Sequence, residues 1–189
     1  MSTRGLPREL GALAARIRRC VLCDLHRSRT HAVPGEGPAR ARILLVGEAP
    51  GRTEDEAGRP FRGAAGKLLD QALREAGIRR DRVFITNAVK CRPPGNRRPR
   101  AQEVFACRPY LVAQVEAVAP RVVVALGQTA VRDLFGPGAS LARLRGRWGA
   151  FGGRPATGTY HPAGVLYNRK LYGRLVHDLA AAKARAEGT

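Results

Sequence analysis

The sequence predicts an α/β fold: a three-layer sandwich with a central, mostly parallel four-stranded sheet flanked by helices. Two observations predict it. Short, continuous apolar runs recur along the chain, as expected of strands buried on both faces, and segments with helical spacing of apolar residues separate them. The length of 189 residues and 44% hydrophobic content suit a single domain over 1–189 with a full core.

The elements follow in order. Residues 7–19 place Leu10, Leu13, Ala14 and Ile17 on one helical face. Ile43-Leu44-Leu45-Val46 is the first strand, ended by Gly47, and the loop Gly47-Glu48-Ala49-Pro50-Gly51 follows. A helix over about 65–76 carries Leu68, Leu69, Ala72 and Leu73, with Gly77 as its C-terminal stop. Val83-Phe84-Ile85-Thr86 is the second strand, ending at Asn87. A helix over about 101–118 contains Pro109, which is expected to kink or split it. Val122 to Leu126 is the third strand, and a helix runs from Gly127 to about Phe135. Thr157 to Tyr160 reads as a fourth strand, and a helix over about 170–186 closes the chain, with Ala186 to Thr189 frayed.

Charge narrows the partners. The chain has 34 Lys+Arg against 15 Asp+Glu, a net charge of +19, and only four of the basic residues are lysines. Arginine presents a planar fork suited to phosphate oxygens, so a nucleic-acid partner is expected. A compositional bias toward Ala, Arg, Gly and Pro would explain arginine in place of lysine, but not the scarcity of acidic residues. The opening Met1-Ser2-Thr3-Arg4-Gly5 carries no apolar run of signal-peptide length, and no later segment approaches a membrane span. The expectation is a cytoplasmic, nucleoid-associated protein with no membrane partner, acting as a monomer.

Four cysteines, Cys20, Cys23, Cys91 and Cys107, are separated by 2, 67 and 15 residues. A disulfide framework belongs to short secreted chains, whereas a cytoplasmic chain keeps such thiols reduced or bound to metal. Zinc and a 4Fe–4S cluster both accept four thiolates, so spacing leaves the two open. Cys91 and Cys107 flank the basic stretch Arg92-Pro93-Pro94-Gly95-Asn96-Arg97-Arg98-Pro99-Arg100. The Gly47 loop, Asn87 and His161 each follow a strand end, and ligands of open parallel sheets bind beyond those ends. They are therefore expected to meet in one pocket.

At these residues a family resemblance enters. Gly47-Glu48-Ala49-Pro50-Gly51, with Glu54, Asp55, Gly58, Arg59, Pro60 and Phe61 after it, resembles the first motif of the family 4, iron–sulfur uracil-DNA glycosylases. Ile85-Thr86-Asn87, followed by Lys90-Cys91-Arg92-Pro93-Pro94 and by Asn96-Arg97, is similar to the family's central signature, and His161-Pro162 to its last. The resemblance implies that Cys20, Cys23, Cys91 and Cys107 hold a 4Fe–4S cluster, and that the partner is uracil-containing DNA, single- or double-stranded.

It also implies roles. Asn87 would read uracil, accepting from N3–H and donating to O4, a pattern that cytosine reverses. Phe61 would stack on the extruded base. His161 would support charge developing at O2. Glu48 would orient water or stabilise the cationic sugar, although the family's best-known relatives use an aspartate near this position. Glu54 would exclude thymine's methyl group, and Gly47 and Gly51 would let the backbone approach the base. Arg92, Arg97, Arg98 and Arg100 would grip phosphates. After His161 the family usually shows His-Pro-Ser-x-Leu-Leu-Arg, and this chain has His161-Pro162-Ala163-Gly164-Val165-Leu166-Tyr167. Val165 and Leu166 would still wedge into the vacated stack. Tyr167 stands where the family has a phosphate-binding arginine, and Arg169 is among the residues that would grip that phosphate instead.

The expected function is a monofunctional glycosylase that hydrolyses the N-glycosidic bond of uracil in DNA and leaves an abasic site. One alternative is a relative that traps uracil-DNA covalently through a histidine in a basic insert, but the loop after Cys91 contains none. Another is a non-catalytic nucleic-acid-binding protein on the same scaffold, which would not need Glu48, Phe61, Asn87 and His161 together. A zinc-ribbon RNA-binding protein is a third.

Overall fold

The computed structural model describes residues 6–188; Met1–Gly5 and Thr189, the last residue of the expected frayed end, lie outside them. The helices are α1 (Leu6–Arg18), α2 (Arg52–Ala57), α3 (Ala64–Glu75), α4 (Ala101–Val118), α5 (Gln128–Phe135), α6 (Leu141–Leu144), α7 (Pro162–Tyr167) and α8 (Tyr172–Glu187). The strands are β1 (Ile43–Gly47), β2 (Val83–Asn87), β3 (Val122–Leu126), β4 (Gly149–Phe151) and β5 (Arg154–Thr159).

The strands form one sheet in the order β2-β1-β3-β5-β4. β1 pairs in parallel with β2, from Ile43 opposite Val83 to Gly47 opposite Asn87, and with β3 on its other side. β5 adds in parallel to β3, so four strands end at the same edge. β1, β2 and β3 are buried along their whole length, because helices cover both faces. Alternate residues serve opposite faces. Ile43 and Leu45 pack with Leu68, Leu69 and Leu73 of α3 and Leu175 and Leu179 of α8. Leu44 and Val46 pack with Leu111 and Val115 of α4 and Val131 and Leu134 of α5. A third cluster joins Leu13 and Ile17 of α1 to Leu25, Val89, Cys91, Cys107 and Tyr110. No helix of the described residues is long and apolar enough to cross a membrane.

Besides the unexpected four-residue α6, four elements depart from the sequence expectation. The sheet has five strands, because β4 adds antiparallel to β5 through the two-residue turn Gly152–Gly153. Both turn residues have positive φ, 56° and 69°, as the mirror-image hairpin turns require. α2 forms inside what reads as a loop. α4 runs through Pro109 as one helix; Phe105, which loses its i+4 partner there, is exposed, so its carbonyl lies toward the solvent side. α7 occupies the stretch after His161 for which two wedge residues are expected. Successive helical residues point about 100° apart, and α7 turns its Val165 face inward. Val165 is fully buried in the core beside α3 and α8, which corrects its assignment to a DNA contact. Leu166, at 40% exposure, and Tyr167, at 93%, face solvent.

Candidate active site

The pocket lies where the four parallel strands end. It is an open cleft of about 190 Å³ whose lining includes Glu48, Glu54, Phe61, Asn87, Arg97 and His161. The pairing of β1 with β2 continues past the strand ends, since Ala88 N–H donates to the Gly47 carbonyl (2.9 Å) and Val89 N–H to the Glu48 carbonyl (3.0 Å). Gly47, Glu48 and Asn87 are therefore held together by main-chain bonds. A Cβ on Gly47 would stand 2.3 Å from Asn87 Oδ1 and 2.7 Å from Phe61 Cζ, so only glycine fits between them. Asn87 is 2% exposed, and its carboxamide makes no hydrogen bond among the described residues. It is not one of the fully buried unpartnered groups of the described residues, which are Asp133 Oδ2 and Tyr172 OH, so the carboxamide opens onto the cleft.

Phe61 sits in left-handed backbone, φ 52°, which costs a bulky residue on the order of 1–3 kcal/mol. Its neighbours hold it there. Arg80 donates to the Pro60 carbonyl (2.9 Å) and is itself anchored by Glu36 (2.8 Å) and Asp70 (2.6 Å). Arg62 and Gly63 N–H both donate to Glu54 Oε1 at 2.8 Å. Behind Phe61, a Cβ on Gly66 would stand 1.9 Å from its carbonyl oxygen, so α3 packs against it only through glycine. The Phe61 ring lies 5.6 Å from the His161 ring, tilted by 30°.

The two carboxylates of the pocket differ. Glu54 accepts from three backbone N–H groups, the third being Gly51 at 3.1 Å, and thereby ties the start of α2 to the loop that leads into α3. Glu48 has no side-chain hydrogen bond among the described residues. Glu54 is a fixed wall, and Glu48 is the carboxylate available to a ligand.

His161 caps α7. Its Nδ1 accepts from Ala163 N–H (3.1 Å), which puts the proton of the neutral ring on Nε2. Burial lowers its pKa below the ordinary imidazole value, against the pull of Glu48 and then Glu54. The uncharged, Nε2–H form is the one the site favours.

The basic loop is divided. Arg97 makes a two-pronged pair with Glu103 of α4 (2.9 and 2.6 Å), whose carboxyl this bond holds below its usual range. Arg97 therefore braces the loop. Arg92 donates to Asn96 Oδ1 (2.7 Å). Arg98 and Arg100 are exposed, with no side-chain partner among the described residues, and Arg169 is exposed, stacked 5.9 Å over Tyr172.

The four thiols are free and line a second cavity together with Lys90 and Tyr110. Arg29 donates to Cys91 Sγ (3.1 Å), Lys90 N–H to Cys107 Sγ (3.3 Å) and Leu22 N–H to Cys20 Sγ (3.5 Å). Such donors suit sulfur that carries negative charge. Burial pushes the bare Cys107 thiol up to about 11, so an anionic sulfur there needs a cation beside it. Among the described residues no group of three or more His, Cys, Asp or Glu side chains is arranged to hold a metal ion.

Two residues escaped the sequence reading. Asn96 lines the pocket in left-handed backbone, φ 55°. Its place in a Pro-Gly-Asn turn was the available signal. Lys90 is 1% exposed, and burial lowers its ammonium to about 8. A lysine inside the apolar run that leads from Asn87 to Cys91 was the sequence signal.

Comparison with known proteins agrees with this geometry. Residues 34–183 match the model of the uracil DNA glycosylase superfamily. The chain is 48% identical over 182 residues to the Type-4 uracil-DNA glycosylase of Pyrobaculum aerophilum, covering 91% of this chain and 92% of that protein. It is 45% identical over 178 residues to the Type-4 uracil-DNA glycosylase of Thermotoga maritima, with the same coverages of 91% and 92%. A Type-5 uracil-DNA glycosylase of Pyrobaculum aerophilum is 38% identical over 172 residues, 82% of this chain and 74% of that protein. With its family model spanning most of the sheet and its flanking helices, the chain belongs to the uracil DNA glycosylase superfamily, and within it is family-4-like.

Proposed function

We propose that the protein is a monofunctional uracil-DNA glycosylase of base excision repair, working as a monomeric single domain on uracil flipped out of single- or double-stranded DNA. The observation that carries this reading is the Asn87 carboxamide, buried, without a partner among the described residues, and lining the pocket beside an aromatic ring and a histidine. Uracil N3–H would donate to Asn87 Oδ1, and Asn87 Nδ2 would donate to uracil O4. Cytosine reverses both and would leave buried groups unpaired. Phe61 stacks on the base, and the fixed Glu54 wall leaves no room for a methyl group at C5.

As the C1′–N1 bond breaks, its electron pair moves onto the uracil ring, and His161 Nε2–H donates to the charge at O2. A single preorganised donor of this kind contributes about 2.7–4 kcal/mol. Glu48 orients a water that attacks C1′, and takes its proton. Among the described residues no lysine lines the pocket, so Schiff-base strand cleavage is not expected. Arg92, Arg98, Arg100 and Arg169 would contact phosphates, and Leu166 with Tyr167 would fill the vacated stack.

Cys20, Cys23, Cys91 and Cys107 would hold a 4Fe–4S cluster. The support is that the four thiols line one cavity, where Arg29 and the backbone N–H groups of Lys90 and Leu22 donate to three of the sulfurs, as suits a shared set of four thiolates. When bound the cluster supplies a rigid anionic brace and iron of variable oxidation state. A cytoplasmic, nucleoid-associated location follows from this reading.

The test is incubation with oligonucleotides carrying one uracil, followed by alkaline cleavage of abasic sites, on protein purified anaerobically. Strand breaks at uracil and about four irons per chain are expected. Intact uracil DNA sinks the activity, and zinc in place of iron sinks the cluster.

A further inference from the structure

Lys90 is buried more completely than any other basic side chain of the described residues, and its three donors meet three acceptors. Nζ donates to the Asn87 carbonyl (2.6 Å), Thr86 Oγ1 (2.8 Å) and Gln114 Oε1 (2.7 Å). Gln114 belongs to α4, and its Nε2 donates in turn to the Pro34 carbonyl. The last residues of β2 are thereby tied to a helix behind the sheet and to the segment that precedes β1.

We propose that Lys90 is a positioning residue of the base-reading site, clamping the main chain of Asn87 so that its carboxamide is held at one place in the pocket. The inference rests on the proposed role of Asn87 as the uracil reader. The Asn87 carbonyl lies where the strand ends, so Lys90 supplies its donor. The main chain of Lys90 is anchored as well: its N–H donates to Cys107 Sγ (3.3 Å) and its carbonyl accepts from Val33 N–H (2.7 Å). Between the two anchors, Ala88 and Val89 N–H donate to the Gly47 and Glu48 carbonyls and are held by β1 independently of the Lys90 side chain.

Lys90 forms no ion pair among the described residues. The acidic groups close enough to act on it are Cys107, Asp133 and Cys91. A neutral side chain could fill this space, but could not supply three donors to converging oxygens. The arrangement therefore needs an ammonium group for its geometry.

The experiment compares the wild-type chain, Lys90→Met, Asn87→Ala and the double variant. Each is measured for single-turnover uracil excision, affinity for abasic-site DNA, and iron content. Lys90→Met is expected to slow excision roughly 10- to 100-fold, the scale of an ångström-level misplacement, with abasic-site affinity and iron unchanged. The double variant should be no slower than Asn87→Ala alone, because Lys90 acts through Asn87. Thr86→Val, which removes one acceptor and leaves the charge in place, should show a smaller loss in the same direction. Excision by Lys90→Met at the wild-type rate, or losses that multiply in the double variant, overturns the inference. If Lys90→Met does not fold, a wild-type rate in Thr86→Val overturns it. A wild-type chain that leaves uracil in place overturns the reading of the site, and this inference with it.

Discussion

Gly47 and Asn87 are register partners at the ends of neighbouring parallel strands, and the position of a Cβ on Gly47 lies 2.3 Å from Asn87 Oδ1. The smallest side-chain addition to the chain at this point would collide with the proposed base reader. Gly47→Ala is expected to lower single-turnover uracil excision by about 100-fold, as a misplaced reacting geometry does. Affinity for abasic-site DNA should stay at the wild-type level. Excision at an unchanged rate would show that the carboxamide need not occupy this position.

Glu48 and Glu54 should separate cleanly into activity and stability. Glu48→Gln is expected to reduce excision by about 100- to 10,000-fold, the range of a missing general base, with an unchanged melting temperature. Glu54→Gln weakens three charge-assisted bonds to backbone N–H groups and should cost roughly 1–3 kcal/mol of stability. Thermal melts and excision rates of both variants decide it; a Glu48→Gln protein that melts early would reverse the assignment.

The lowered pKa of His161 makes a stability prediction. An imidazole in the unfolded chain titrates near 6.5, while burial depresses the folded value. As pH falls through about 6.5, the unfolded chain takes up this proton before the folded one does. The contribution is therefore fully present above that value and is lost toward the lower folded value. Melting temperature should fall more steeply between neutral and mildly acid pH in the wild-type chain than in His161→Asn, which cannot titrate. Parallel slopes would argue against a neutral His161 in the folded chain.

Adjacent arginines of one loop should behave differently. Arg98→Ala removes an exposed cation, and should leave stability unchanged while lowering the slope of log affinity for DNA against log salt by about one. Arg97→Ala leaves Glu103 buried without its partner, so it should lower the melting temperature. Equal salt slopes in wild type and Arg98→Ala would remove Arg98 from the DNA contact.

The central layer was legible because Ile43–Val46, Val83–Ile85 and Val122–Leu126 are continuous apolar runs, and a strand covered on both faces has no polar side to disguise it. The gathering of the Gly47 loop, Asn87 and His161 at one sheet edge followed from parallel strands alone. The short elements were not legible: α2, α7 and β4 have six, six and three residues and owe their form to tertiary contacts. β4 does carry a signal in Gly152–Gly153, a dipeptide typical of tight hairpins. Val165 was misplaced because the short helix α7, itself not legible, turns one face into the core beside α3 and α8. The division between Arg97 and Arg98 depends on Glu103, and no periodicity of the loop encodes that pairing. Lys90 looks in sequence like one more member of the basic signature, and only its burial separates it from the surface arginines.

The main-chain bonds that run past the strand ends make Gly47, Glu48 and Asn87 one rigid body with the sheet. Phe61, braced by Arg80, Glu54 and Gly66, belongs to the same unit. His161 stands opposite, at the start of a six-residue helix whose Leu166 and Tyr167 project into solvent. Val165 of that helix is buried in the core, so the exposed residues that would meet the DNA first and the histidine at the pocket are carried on one short, anchored helix.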